Sequence, residues 1–241
     1  MVRLIALFTL AGLCAPALAL DCSEVTSAGH ALTVCRADVK SDSIQLFLND
    51  GRGHPFHTFA ALEKSLAAQG KRLAFAMNAG MFEPDYSPVG LYIEQGKALA
   101  PLNLKNERGN FFLKPNGVFY LNGTEAGVVQ STQFAKVATP VTLATQSGPM
   151  LVIEGQLHYR LSKTSTSRHV RNGVGVDDRG KVVLAASEAP LTLHEFALAF
   201  RDDLHCPNAL YLDGSITSVY APSLNQRTQR ADLGPILAIV E

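Results

Sequence analysis

The strongest constraint on the fold is a pattern that occurs twice: an apolar strand, a capped helix and a second apolar strand. The later copy is the clearer one. Lys181 to Ala186 is apolar and β-branched and runs into Ser187-Glu188. Thr192 and Glu195 then make a Thr-x-x-Glu capping box, and Leu193, Phe196, Ala197, Phe200 and Leu204 trace one helical face. Pro207 stops the helix, and Ala209 to Leu212 is the next strand, which delivers Asp213-Gly214-Ser215. In the earlier copy, Ser43 to Asn49 alternates as a strand does. Thr58 caps a helix with Phe59, Leu62 and Leu66 on one side, Gly70 ends it, and the strand Leu73 to Met77 stops at Asn78-Ala79-Gly80. Two strands joined by one such helix are most simply parallel, with a right-handed crossover. Their C-terminal ends then lie on one sheet edge, where open α/β sheets bind ligands. This places Glu188 and Asp213 in one crevice, with Asn78 reaching it from the first unit.

Between the two copies the chain reads as antiparallel strands: Gly90 to Glu94, Asn110 to Lys114, Gly117 to Leu121, Pro140 to Thr145 and Met150 to Ile153. Turns such as Pro115-Asn116-Gly117 and Glu154-Gly155 connect them. The expected class is α+β (mixed α/β): a mixed, twisted β-sheet with two strand–helix–strand units and a central antiparallel portion.

The first 19 residues read as a signal peptide, leaving 20–241 as a single domain. Arg3 supplies the charged start, Leu4 to Leu13 the apolar core, and Ala17-Leu18-Ala19 the cleavage signal. The apolar core is too short for a span and no second one follows, so no membrane span is expected after cleavage. Leu13 stands before Cys14 where a lipoprotein signal wants a small residue. The expected location is periplasmic or secreted. Cys22, Cys35 and Cys206 remain in the mature chain. In an oxidising compartment Cys22 and Cys35 are natural disulfide partners around the turn-rich Thr26 to His30, a bridge worth about 3 kcal/mol. Cys206, left over, reads as a buried thiol beside a helix end.

Charge and motifs exclude several functions. Lys plus Arg balance Asp plus Glu at 21 each, so there is no basic face for nucleic acid. The seven histidines show no metal spacing, and Asp177-Asp178-Arg179-Gly180 lacks the alternating ligands of a calcium loop. There is no nucleophile elbow, H-E-x-x-H or P-loop, so neither metal nor cofactor is expected.

What remains is Asn, Ser, Arg and Asp chemistry beside glycines at strand ends. In order these are Asn78-Ala79-Gly80-Met81-Phe82, Ser147-Gly148-Pro149-Met150-Leu151, Arg171-Asn172-Gly173-Val174-Gly175, Ser187-Glu188, the helix that Thr192 caps, and Leu212-Asp213-Gly214-Ser215. The set resembles the phosphodiester glycosidase family from about Leu73 to Tyr220. The family's animal member removes N-acetylglucosamine from phosphodiester-linked mannose. The last motif departs from the family's pattern: Ser215-Ile216 stands where the family carries two glycines. This points to a changed substrate on the same fold.

The resemblance implies an exported glycosidase acting on a carbohydrate or glycosyl-phosphate substrate, at a sugar-1-phosphodiester or related bond. Asp213 and Glu188 are the expected catalytic carboxylates, their roles interchangeable at this stage. Arg171 would hold a phosphate bidentately. Asn78, Gly80, Ser147, Gly148, Gly214, Ser215 and Ser218 complete the expected binding set. The alternative is a non-catalytic glycan-binding envelope protein on the same scaffold. The chain has no Trp, the usual sugar-stacking residue, which weighs slightly against a dedicated lectin.

Overall fold

The computed structural model describes residues 20–123 and 125–241. The leader and its cleavage signal lie outside the described residues. Strands β1 (Asp21–Ser27), β2 (His30–Ala37) and β3 (Ser43–Phe47) lead to helix α1 (Phe59–Ala67). Then come β4 (Leu73–Asn78), β5 (Tyr92–Glu94), β6 (Lys97–Ala100), β7 (Gly117–Asn122), β8 (Glu125–Gln130), β9 (Leu143–Ser147), β10 (Met150–Ile153) and β11 (Gln156–Leu157). After β12 (Asn172–Val176) and β13 (Val182–Ser187), helix α2 (Leu193–Leu198) runs on through a π-helical turn over Ala199–Asp203. The chain closes with β14 (Asn208–Asp213), β15 (Val219–Ala221), β16 (Gln226–Thr228) and β17 (Ile236–Val240).

The strands form three sheets, in the orders β1-β2-β13-β12-β14-β10-β11, β16-β15-β4-β17-β3 and β6-β5-β9-β7-β8. The α+β class therefore holds, with three sheets in place of one mixed sheet. Among the described residues all the strand pairings are antiparallel. The strands of each strand–helix–strand unit nevertheless run in one direction. β13 and β14 are both antiparallel to β12, which lies between them. β17 separates β3 from β4 in the same way. The crossover helix spans a neighbour, so the two strand ends share an edge without touching.

Period-two alternation sorts the side chains. Leu210 and Leu212 of β14 face the central core, which draws on all three sheets through Val174, Met77 and Phe119 among others. Ala209 and Tyr211 face the other way, into the layer where α2 lays Phe196 and Phe200 against the sheet. Helix α1 covers its own sheet with Phe59, Leu62 and Leu66. Both helices begin as their sequences require. Thr58 accepts from the Ala61 N–H, and Thr192 and Glu195 make the reciprocal capping box.

One expected strand is absent: Asn110 to Lys114 turns instead. The Phe112 and Leu113 N–H groups donate to the Gly109 and Asn110 carbonyls, and Phe111 buries its ring without a sheet partner. The segment is held by the side chain of Asn116, whose Nδ2 donates to the Phe111 carbonyl; nearby, the Oε1 of Gln146 accepts from the Leu91 and Asn103 N–H groups. Its Nε2 donates to the Asn103 carbonyl and the Ser131 hydroxyl. The Cys22–Cys35 disulfide is present and joins directly opposed residues of β1 and β2. Cys206 is buried, and burial holds its thiol protonated far above the ordinary range.

Candidate active site

Asp213 ends β14 beside a hollow of about 350 Å³ whose wall includes Tyr211, Gly214, Ser215, Ile216, Phe82 and Asn110. Pairing with β12 slips here. Asn172 lies opposite Asp213 while Gly173 lies opposite Tyr211, which leaves Leu212 as the extra residue of a bulge. Bulges at strand ends stop the ladder and re-aim side chains. The Asp213 N–H is then held by a side chain: it donates to Oδ1 of Asn172 at 3.0 Å. Asn172 in turn donates through Nδ2 to the carbonyl and Oδ1 of Asn78, at the end of β4 in the neighbouring sheet. The Ser218 N–H donates to the same Asn78 Oδ1. Two buried amides thus tie both ends of the turn after Asp213 to two sheets.

Burial pushes the Asp213 pKa up to about 6, and the backbone N–H groups of Gly214, Ile216 and Ser215 pull against it. Desolvation wins because a half-buried carboxylate has lost more water than those groups replace. Beside it, the Tyr211 hydroxyl is pushed up to about 12 by burial, with the nearby Arg171 opposing. Tyr211 therefore remains a phenol at neutral pH.

Arg171 is 1% exposed, so it is no surface arginine. Its Nε donates to the Leu191 carbonyl, one terminal nitrogen to the Ser167 carbonyl, and the other to the Tyr211 hydroxyl at 3.3 Å. Its guanidinium carbon lies 5.4 Å from the centre of the Tyr211 ring. Among the described residues no carboxylate pairs with it. A buried, unneutralised cation thus stands behind the Tyr211 wall of the hollow.

Asp213, Gly214 and Ser215 line this hollow, as their sequence suggests. Glu188 does not. It is exposed and lines a separate polar hollow of about 390 Å³ with Glu24, Thr217, Arg227 and Arg230. With β12 between their strands, the ends of β13 and β14 lie on the order of 10 Å apart. The one crevice expected from sequence is therefore two hollows, flanking the turn that contains Ile216 and Thr217.

Several expected binding groups are occupied by the protein itself. The Ser147 hydroxyl donates to the Leu212 carbonyl, and the Ser218 hydroxyl donates to the Ile216 carbonyl while accepting from the Arg230 N–H. A Cβ on Gly148 would come within 2.6 Å of the Phe111 carbonyl oxygen, so this glycine serves close packing. Gly80 adopts φ +142 where Thr145 bonds the Ala79 carbonyl. Gly214 needs space for a different reason than a turn: a Cβ there would sit 2.3 Å from the Tyr211 hydroxyl oxygen. Sequence reasoning missed Tyr211 and did not single out Phe82 as a wall of the site. Phe82 is stacked on Tyr86 at 5.5 Å and presents an aromatic side to the hollow.

Comparison with known proteins bears on the family and the fold. The model of a family described as phosphodiester glycosidase matches residues 71–235. The Escherichia coli (strain K12) protein YigE, itself described as uncharacterized, is 35% identical over 202 residues, covering 83% of this chain and 78% of YigE. Among solved structures, one similar fold is the zebrafish N-acetylglucosamine-1-phosphodiester alpha-N-acetylglucosaminidase catalytic domain, auto-inhibited by its pro-peptide. It matches with a TM-score of 0.64 and 17% identity over 91% of this chain and 81% of that one. A hypothetical protein from Synechocystis matches with a TM-score of 0.58 and 16% identity, over 92% of this chain and 61% of that one.

Proposed function

The chain belongs to the phosphodiester glycosidase family, and on that premise we propose that it is an exported hydrolase cleaving a sugar-1-phosphodiester, or a related glycosidic bond, in an envelope or extracellular glycan. The observation that carries the reading is that the Asp213 hollow holds one carboxylate. Cleaving a sugar from an alcohol generally takes two: one activates water or attacks, the other protonates the leaving oxygen. A phosphate monoester leaves as an anion that is stable at neutral pH, so its departure needs no proton. One carboxylate then suffices.

Asp213 takes the proton of a water that attacks the anomeric carbon. The carbon–oxygen bond breaks with its electron pair going to the phosphate, and the proton on Asp213 is later lost to solvent. A pKa of about 6 leaves the group mostly ionised at pH 7 while making it a stronger base than an ordinary aspartate. The phenolic Tyr211 is a hydrogen-bond donor to the departing phosphate, and the Arg171 charge behind it favours the anion. The Cys22–Cys35 bridge supports an oxidising compartment.

The test is turnover of matched glycosyl phosphodiesters and neutral glycosides of the same sugar by the unmodified protein and by Asp213→Asn. The reading expects phosphodiester hydrolysis, at least a hundredfold slower in the variant. Equal cleavage of the neutral glycoside would refute the leaving-group argument. A second reading, glycan binding without turnover, is favoured by the Ile216 side chain in the hollow, where the family pattern has glycine. It expects saturable sugar binding with no product.

A further inference from the structure

A larger hollow, of about 680 Å³, shares no wall residue with the Asp213 hollow. Its wall is mostly apolar, formed by Leu104, Pro115, Ile153, Leu157 and the ring of Tyr159. Three large apolar side chains stand out as exposed among the described residues, and two of them, Leu104 at 50% and Tyr159 at 79%, rim this hollow. Apolar side chains left in water together, around a concavity, mark a binding surface more often than chance exposure does.

Tyr159 touches the protein on one side of its ring. One side of its ring stacks on His158, with centroids 5.1 Å apart and planes 11° apart, and its hydroxyl donates to the Lys114 carbonyl at 3.5 Å. The opposite side is free. His158 beneath it is buried, and burial lowers its pKa, so it brings no charge at neutral pH.

Lys114 is the one charged residue on the wall. Its ammonium lies 3.4 Å from Asn116 Oδ1, and among the described residues it has no carboxylate partner. Partial burial lowers its pKa, which means that the cation has shed some water without gaining an anion. The polar remainder of the wall is neutral: Asn116, Gln130, Thr132 and Gln156.

We propose that this hollow is a binding site for a small amphipathic anion. The apolar body lies on Leu104, Ile153, Leu157 and the free side of Tyr159, and a phosphate or carboxylate sits on the Lys114 ammonium. Charge complementarity selects the anion, because a neutral ligand would leave the partly desolvated cation unpaired. The apolar wall selects the body, because a free inorganic anion would leave that surface in water. The proposal stands whether or not Asp213 is catalytic.

The absence of Trp from the chain makes a clean test. Tyr159→Trp places a single indole on the rim, and its emission is titrated with hexyl phosphate, hexyl glucoside and inorganic phosphate. Hexyl phosphate is expected to give a saturable blue shift, with affinity roughly tenfold or more above either control. Adding Lys114→Gln should abolish the preference for hexyl phosphate over hexyl glucoside, and Lys114→Arg should restore it, with melting temperatures showing that all three variants fold. The same titration in an Asp213→Asn background should be unchanged, which assigns the signal to this hollow. Equal affinities for the phosphate and the glucoside would overturn the proposal. So would tight binding of inorganic phosphate alone, no saturation up to about 10 mM, or a response only to phosphatidylglycerol vesicles.

Discussion

Replacing Asp213 by Asn tests the site through folding alone, with no substrate needed. The carboxyl titrates at about 6 in the fold, against about 3.9 in an unfolded chain. Between those values the folded state binds more protons than the unfolded state, so stability falls as pH rises through the window. Below about pH 4 both states are protonated and the penalty is absent; above pH 6 it is present in full. A shift of two units at about 1.4 kcal/mol each sets an upper bound near 3 kcal/mol. Partial exposure brings the expected cost of the ionised form to about 1–3 kcal/mol. Asn carries no charge, and its Oδ1 can still accept from the Gly214 N–H. The variant should therefore be about 1–3 kcal/mol more stable than the unmodified protein at pH 8, a gain of roughly 3–10 °C in melting temperature. The advantage should vanish by pH 4. Urea unfolding followed by circular dichroism, with the disulfide intact, at intervals from pH 4 to 8 measures it. A variant that is less stable at pH 8, or a difference that ignores pH, would show that desolvation does not set this carboxyl's pKa.

Arg171→Lys should cost about 2–4 kcal/mol in urea unfolding, because one ammonium cannot replace bonds to Leu191, Ser167 and Tyr211 made by three nitrogens; a loss under about 0.5 kcal/mol would mean those bonds are incidental. Gly214→Ala should displace the Tyr211 ring, lowering stability by about 1–3 kcal/mol and turnover with it; unchanged melting and activity would refute the close approach. Glu188→Gln should leave turnover within a factor of about two to three, in contrast to Asp213→Asn; a loss as large as that of Asp213→Asn would restore a two-carboxylate mechanism. Replacing Cys22 and Cys35 together by Ser should cost about 3 kcal/mol, read by unfolding with and without reductant, and peptide mapping of periplasm-derived protein without reduction should recover the linked pair.

The helices and the strands beside them were legible because their signals are local. A Thr-x-x-Glu box and an apolar stripe need only a dozen residues to declare themselves, and both appear where expected. Sheet order is not local. β17, the run Ile236–Val240, pairs with β3 and β4 across nearly the whole chain and slots between them. Nothing near β3 or β4 announces that insertion. β12 does the same between β13 and β14, which is why two carboxylates at matching strand ends open into different hollows. The turn at Asn110 was misread for a related reason. Its apolar residues suit a strand, but the Phe111 ring packs against Gly90 and the Phe111 carbonyl accepts from the Asn116 side chain, so the segment is held without a ladder.

At the site, sequence marked the right segments and mistook some of their roles. A buried polar group must bond to something, and whether that is ligand or protein depends on burial, which a motif does not carry. Asn78, Ser147 and Ser218 bond to the protein, and through Asn172 this network holds the backbone of Asp213. Tyr211 could have been found. It lies two residues before Asp213 on the same strand, so alternation favours the same side of the sheet. The bulge then matters more than the strand itself. A ladder continued to its end would have bonded the Asp213 N–H to backbone. The slip instead hands that N–H to Asn172, whose amide reaches into the second sheet through Asn78. Position at a strand end brings Asp213 to the hollow; the amide pair couples its backbone to both sheets, so that displacing the Asp213 main chain means breaking contacts in each.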